Sequence, residues 1–285
     1  MNSATPGELL EIAIEVARSA AETAHRMRGE GVAVAATKST ATDVVTAADR
    51  AVERQVTEHL RRLRPYDAIL GEEYGEGTPA STGNGGNGGA GSRTGAGTGA
   101  VRWIVDPIDG TVNYLYGLPY HAVSLAAEVD GTVVAGVVRN IATGDEWTAT
   151  RGGGAYRSGQ RLRCSTETDL GQALIGTGFG YDAARRAHQA RVIAGLITEV
   201  RDIRRYGAAA LDLCQAAEGR VDAYYEKGLG AWDLAAGGLV AAEAGLRVTG
   251  LRGRPAGPDL VLAAPPALYQ ALHDRLADLD ASGGP

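Results

Sequence analysis

The chain has 285 residues, 44% of them apolar and 22% charged, with a formal net charge of −6; that is enough to bury a full core as one large domain or two smaller ones. The acidic balance, with no basic cluster interleaved with aromatics, gives no nucleic-acid partner, and no apolar run approaches the roughly 18–20 residues of a membrane span. The start lacks the basic residues and continuous apolar core of a signal peptide, and Cys164 and Cys214 show no metal or redox spacing, so the expected compartment is the cytoplasm.

In chain order, Leu9, Ala13, Val16, Ala20, Ala24 and Met27 recur at steps of three and four, which predicts one apolar helix face. A second helix is predicted to open at Thr46-Ala47-Ala48-Asp49, a capping-box pattern, with Val52, Val56, Leu60 and Leu63 on its inner side. Ile69-Leu70 reads as a short strand running into Gly71-Glu72-Glu73. Residues 75–100 then break the pattern: eleven of these 26 are Gly, with no large apolar group, so the stretch is expected to be a flexible insertion that cannot offset its ordering entropy.

Folded structure is expected to resume at Val101. Residues 122–129 and 132–139 are β-rich runs around Asp130-Gly131, a type I′ hairpin signal, and residues 144–163 continue in the same style. From about residue 172 the rhythm becomes strand and helix in alternation: a strand at 173–180, a helix at about 183–200, a strand at 201–207, a helix at 208–219, a strand at 221–226, a helix from Trp232, and a last strand and helix. Two α/β layers meeting near residue 150 are the expected architecture.

The chemistry concentrates in Asp106-Pro107-Ile108-Asp109-Gly110-Thr111, directly after the apolar run 101–105. Pro107 disfavours a central-strand position, so the strand is predicted to stop there with both acids at its exposed end. A helical turn starting at Gly110-Thr111 would aim free N–H groups at the same space. Anion-binding amides beside carboxylates are reconciled by a divalent cation that the acids hold and that, with the amides, holds a phosphate. A D-x-x-D pair alone reads first as no more than a strand end at Asp106 and a helix cap at Asp109. Glu72-Glu73 and Trp232-Asp233, however, also place acids at element ends. Five carboxylates in one pocket repel one another without cations, so they form a metal cluster or lie apart; spacing leaves both open.

Gly71-Glu72-Glu73, then residues 103–114 (WIVDPIDGTVNY), then 232–245 (WDLAAGGLVAAEAG), in this order, resemble the signature motifs of the inositol monophosphatase family. Residues 38–53 resemble the family's N-terminal metal region, and 204–233 its substrate-binding stretch. The resemblance implies an α/β (α+β) fold, the layered αβαβα sandwich shared with fructose-1,6-bisphosphatases, divided into an N-terminal domain over 1–150 with most metal ligands and a C-terminal domain over 151–285 with the substrate residues and Asp233. It also implies Mg²⁺, two to three ions per site. Glu72, Asp106 and the Ile108 carbonyl would bind the first, Asp106, Asp109 and Asp233 the second, and Glu73 a weaker third through water. Thr111 paired with Asp49 would orient and deprotonate the attacking water, and the amides of Gly110 and Thr111 would cradle the phosphate. Gly207, Ala209 and Glu226, with Asp109 and Asp233, would contact the alcohol's hydroxyls; Lys38 and Asp43 match positions near the third metal.

The implied reaction is Mg²⁺-dependent hydrolysis of a small-molecule phosphate monoester, foremost myo-inositol monophosphate, by a lithium-sensitive homodimer. Alternatives are histidinol-phosphate phosphatase, another sugar or nucleotide phosphatase of the same fold, and a non-catalytic regulatory binding protein. Where some members present a Ser to the substrate, this chain has Gly180-Tyr181-Asp182, and Arg204-Arg205 leave a second phosphate open. The five histidines (25, 59, 121, 188 and 273) show no ligand spacing and read as structural.

Overall fold

The computed structural model describes residues 4–32, 34–38, 40, 44–77 and 99–285. Asp43 and most of the Gly-rich stretch, 78–98, lie outside the described residues. Helix α1 (Pro6–Glu30) is held at its start by a reciprocal pair, Thr5 Oγ1 accepting the Glu8 amide and the Glu8 carboxylate accepting the Thr5 amide. Its predicted stripe, Leu9 to Ala24, is buried, while Met27 is only partly covered.

A hairpin of β1 (Val34–Thr37) and β2 (Val44–Thr46) follows, too short to show an alternation in the sequence. Thr46 and Asp49 then form the predicted capping box of α2 (Ala47–Leu63). Val52, Val56 and Leu60 are buried, but Leu63, in the last turn, is 42% exposed.

Next come β3 (Ala68–Gly71), β4 (Gly75–Gly77), β5 (Val101–Asp109), the short α3 (Thr111–Tyr116), β6 (Ala122–Val129), β7 (Thr132–Asn140), β8 (Glu146–Thr150), β9 (Gly154–Arg157) and β10 (Gln160–Arg161). They form one eight-stranded sheet in the order β10-β9-β8-β7-β6-β5-β3-β4. The β6–β7 turn has Asp130 at φ 49° and Gly131 at φ 78°, as the type I′ reading requires. Residues 75–77, expected within the insertion, instead pair antiparallel with β3; the free edge of β3 supplies backbone partners that composition does not register.

The expectation for Pro107 also needs correction. Strand β5 runs on through Asp109 in the middle of the sheet, between β3 and β6. Pairing with β3 ends at Val105, and the β6 register slips between Asp106 and Asp109. Pro107 therefore sits in a bulge with no paired strand on its β3 side among the described residues, where its missing N–H breaks no ladder bond.

The second sheet, β12-β11-β13-β15-β14, comprises β11 (Leu174–Thr177), β12 (Asp202–Arg204), β13 (Ala223–Glu226), β14 (Arg247–Thr249) and β15 (Val261–Ala264), with helices α4 (Ala183–Leu196), α5 (Ala209–Ala217), α6 (Ala231–Glu243) and α7 (Pro266–Asp278). The three-residue β14 was not anticipated, and α4, β11 and β12 are shorter than predicted.

Four apolar clusters define the layering. Leu9, Val16, Val52 and Leu60 pack with Trp103 and Leu125 on one face of the first sheet. Ile104, Val138 and Trp147 on its other face meet Leu211, Leu239 and Val240 of α5 and α6. The far side of those two helices packs on Tyr224, Val261 and Ala263 of the second sheet, and Ile175 and Leu262 meet α4 and α7 beyond. The fold is thus the expected αβαβα sandwich. Because both faces of each sheet are covered, Trp103-Ile104-Val105 of β5 are buried in succession rather than in alternation.

Candidate active site

The carboxyl ends of β5, β3 and β13 and the amino ends of α5 and α6 converge on a cleft of about 700 Å³, lined among others by Glu72, Asp106, Asp109, Thr111, Glu226 and Asp233. Carboxylate oxygens of Asp106, Asp109 and Asp233 lie within 4.8 Å of one another. Asp106 accepts the Ile108 amide at 3.1 Å. Asp109 spans a hundred residues to accept the amides of Ala209 (3.1 Å) and Ala210 (2.8 Å), so it closes the start of α5. Asp233 accepts the Gly230 amide at 2.6 Å and does the same for α6.

Burial and mutual repulsion push these acids upward. Asp106 is raised well above its ordinary range by burial, then by Glu72, Asp109 and Asp233. Asp233 is raised well above its range by burial, then by Asp109 and Glu72. Asp109 is pushed up to about 7 by burial, against the pull of the Ala209 and Ala210 amides. Buried carboxylates this close are stable together when protonated or when they share a cation, and an all-oxygen donor set suits a hard divalent ion. The three residues fit a metal.

Thr111 opens α3 beside this cluster. Its hydroxyl lies 3.1 Å from Asp49 Oδ1 and 3.1 Å from the Ile108 carbonyl. Asp49 does not line the cleft; it is fully buried beneath Thr111, where Oδ2 accepts the Thr46 amide at 2.8 Å and the Thr46 hydroxyl. Burial pushes Asp49 up to about 6, against those two hydrogen bonds. Gly110 turns the chain at φ 84°, ψ 42°, and a Cβ there would come within 3.0 Å of Ala208 Cβ and the Tyr120 carbonyl; only glycine fits both the angle and the space.

Glu72 lines the cleft. The Lys38 ammonium lies between Glu72 (2.7 Å) and Glu73 (2.6 Å). Burial would lower the lysine's pKa, but the two acids outweigh it and hold it above its ordinary value. Glu73 faces Lys38 and is not among the cleft-lining residues. Across the cleft, Gly207 and Ala209 line its wall, the Ala209 amide being already committed to Asp109. Glu226 accepts the Tyr224 hydroxyl; burial pushes it up to about 6, with Tyr224 and Arg205 pulling the other way. The Arg204-Arg205 pair is split: Arg204 is bound to Asp202, while Arg205 lines the cleft with its guanidinium over the Phe179 ring.

A profile of the inositol monophosphatase family matches residues 6–280. The chain belongs to that family. It is 46% identical to an inositol-1-monophosphatase of Mycobacterium leprae over 241 residues, 82% of this chain and 78% of the relative. It is also 38% identical to the Nus factor SuhB of Pseudomonas aeruginosa over 249 residues, 86% of each. The solved structure of Mycobacterium tuberculosis SuhB superposes with a TM-score of 0.78 at 38% identity, covering 98% of this chain and 99% of that one. Membership of the inositol monophosphatase family supports phosphatase activity.

Two residues that shape this cleft escaped the sequence reading. Glu53, 1% exposed, accepts the amides of Glu73 (2.8 Å) and Tyr74 (3.0 Å) and so fixes the turn that presents Glu72. Its signal was an acid four residues after Asp49, on the apolar side of α2 between Val52 and Val56. Asn113 Nδ2 donates to the Tyr120 (2.8 Å) and Tyr206 (2.9 Å) carbonyls, tying the Gly110 turn to the loop before α5; no spacing rule marks it.

Proposed function

We propose that this chain is a Mg²⁺-dependent phosphatase that hydrolyses a phosphate monoester, foremost myo-inositol monophosphate, to the free alcohol and phosphate. The observation that carries this reading is the Asp106–Asp109–Asp233 cluster, its first two acids buried, beside the Gly110–Thr111 turn. Glu72, Asp106 and the Ile108 carbonyl would hold one ion, Asp106, Asp109 and Asp233 a second, and Glu73 a third through water. Bound Mg²⁺ would supply Lewis-acid stabilisation of phosphoryl charge and make water more acidic.

The chain's own groups do the rest. Thr111 Oγ1 accepts a proton from the attacking water while its own proton passes to Asp49 Oδ1, 3.1 Å away. With its pKa pushed up to about 6, Asp49 is ionised near neutrality and basic enough for that task. The amides of Gly110 and Thr111 cradle the phosphate oxygens. Glu226, Gly207 and Ala209, together with Asp109 and Asp233, face the alcohol, whose hydroxyls Glu226 accepts.

Phosphate release from myo-inositol 1-phosphate, histidinol phosphate and a sugar bisphosphate, each with Mg²⁺ and with chelator, tests the reading. Release from the inositol ester that requires Mg²⁺ supports it. Preference for another ester moves the chain to histidinol-phosphate or other sugar or nucleotide phosphatase activity, for which Arg205 in the cleft is the favouring observation. No release from any ester would leave a regulatory binding role, the reading that a relative named Nus factor SuhB favours; the complete set of five carboxylates speaks for catalysis. A homodimer is part of the same proposal, and sedimentation equilibrium checks it.

A further inference from the structure

Of the 28 basic residues, two are lysines, Lys38 and Lys227, and both line the cleft. Lys38 meets Glu72 and Glu73. Lys227 directly follows Glu226 yet bonds to no carboxylate among the described residues. Its ammonium donates to three consecutive backbone carbonyls, those of Ser282 (3.2 Å), Gly283 (2.6 Å) and Gly284 (2.8 Å). An ammonium has three N–H donors and no acceptor, so all three are taken.

The segment that supplies these carbonyls is itself fixed. After α7, Asp280 turns the chain at φ 53° and its carbonyl meets His188 Nε2 at 2.9 Å. Ala281, 3% exposed, plugs the core between α4 and α7. Gly284, at φ 72°, passes so close to the His188 ring that a Cβ would lie 2.6 Å from its Cγ. The Pro285 carbonyl accepts Arg185 Nε at 3.2 Å, and Arg185 also lines the cleft.

We propose that Lys227 is a positioning residue for the substrate end of the cleft: residues 282–284 cap its ammonium and so withhold its charge from Glu226. Glu226 then stays free to accept hydroxyl hydrogen bonds from the alcohol. Both side chains line the cleft, so an ammonium released from these carbonyls carries three unfilled donors into the space that Glu226 faces, and an ion pair there competes with the substrate. The inference rests on the placing of Glu226 at the alcohol, under the function proposed above.

The test is a deletion of residues 282–285 in the otherwise full chain, assayed with Mg²⁺ on myo-inositol 1-phosphate and on p-nitrophenyl phosphate, which has no hydroxyls for Glu226. The expected result is a KM for the inositol ester raised about threefold or more, with kcat and both aryl phosphate constants within about twofold of the parent. Adding Lys227→Met to the deletion removes the freed charge and restores the inositol KM, a rescue that a merely structural anchor does not give. Amine acylation read by mass spectrometry is the substrate-independent arm: the deletion speeds labelling of Lys227 about tenfold while Lys38, the internal reference, is unchanged. Should the deletion unfold the protein, Gly284→Ala displaces the segment at full length and is read in the same way. An unchanged inositol KM, equal losses on both esters, no rescue by Lys227→Met, or unchanged Lys227 labelling overturns the proposal. Failure of the parent protein to hydrolyse the inositol ester instead overturns the function it rests on, and is seen before any variant is made.

Discussion

Asp109→Asn separates what the acidic cluster does for catalysis from what it costs the fold. The substitution keeps the shape of a side chain that accepts the Ala209 and Ala210 amides and removes one of three crowded charges. The folded pKa of Asp109 is pushed up to about 7 from 3.8. A raised folded value favours the native state fully below pH 3.8 and loses that benefit as pH rises through about 7. At pH 8 without metal, the ionised Asp109 therefore costs roughly 4 kcal/mol at about 1.4 kcal/mol per unit. Asparagine avoids that cost but turns its NH₂ toward one of the two amides, an unsatisfied buried contact worth about 1–3 kcal/mol. The net is a variant more stable than the parent by about 1–3 kcal/mol in chelator at pH 8, or roughly 2–8 °C in Tm. At pH 5, where the parent's Asp109 is protonated, the advantage should vanish. Thermal denaturation in chelator at both pH values reads this, and a variant less stable than the parent at pH 8 refutes the reasoning. Turnover in saturating Mg²⁺ should fall by about a thousandfold or more, beyond the 10–100-fold typical of residues that only support metal ligands; near-normal turnover would sink the metal assignment.

Glu226→Gln keeps length and one acceptor oxygen but loses the charge-assisted bonds, worth roughly 1.5–3 kcal/mol. Steady-state kinetics should show kcat/KM on myo-inositol 1-phosphate down about ten- to a hundredfold, with a small aryl phosphate hydrolysed almost as before. Glu53→Gln sets an NH₂ against the Glu73 or Tyr74 amide and loosens the turn that carries Glu72. The Mg²⁺ concentration for half-maximal activity should rise about 10–100-fold with the fold retained, and an unaltered Mg²⁺ titration would assign Glu53 a purely structural part. Deleting residues 78–98 removes no large apolar group, and closure entropy shifts by only about 0.6 kcal/mol per doubling of loop length. Melting temperature and turnover should hold, whereas a Mg²⁺ requirement raised about tenfold would tie the segment to the metal site.

Local patterns in the sequence settled what depends on neighbours a few residues apart. The Thr46–Asp49 capping box, the inner face of α1 and the Asp130–Gly131 turn follow from spacing, because helix and hairpin geometry repeat over three or four residues. The acids at 72, 106, 109 and 233 were also legible as acids at element ends. Spacing left their gathering open; only the family resemblance put them at shared ions. Asp109 meets α5 across a hundred residues, and Asp233 reaches the same cleft only because α5 and α6 are sandwiched between the two sheets. Pro107 was misjudged for the same reason: a proline's cost depends on whether its neighbour strand is still paired, and β3 has ended by then. Likewise β4 owes its existence to the free edge of β3, and the Lys227 ammonium to carbonyls 55–57 residues away. Residue chemistry and local geometry are written in short stretches of chain. Which charges share a pocket, and which backbone groups stand ready to satisfy them, is decided only when distant segments pack.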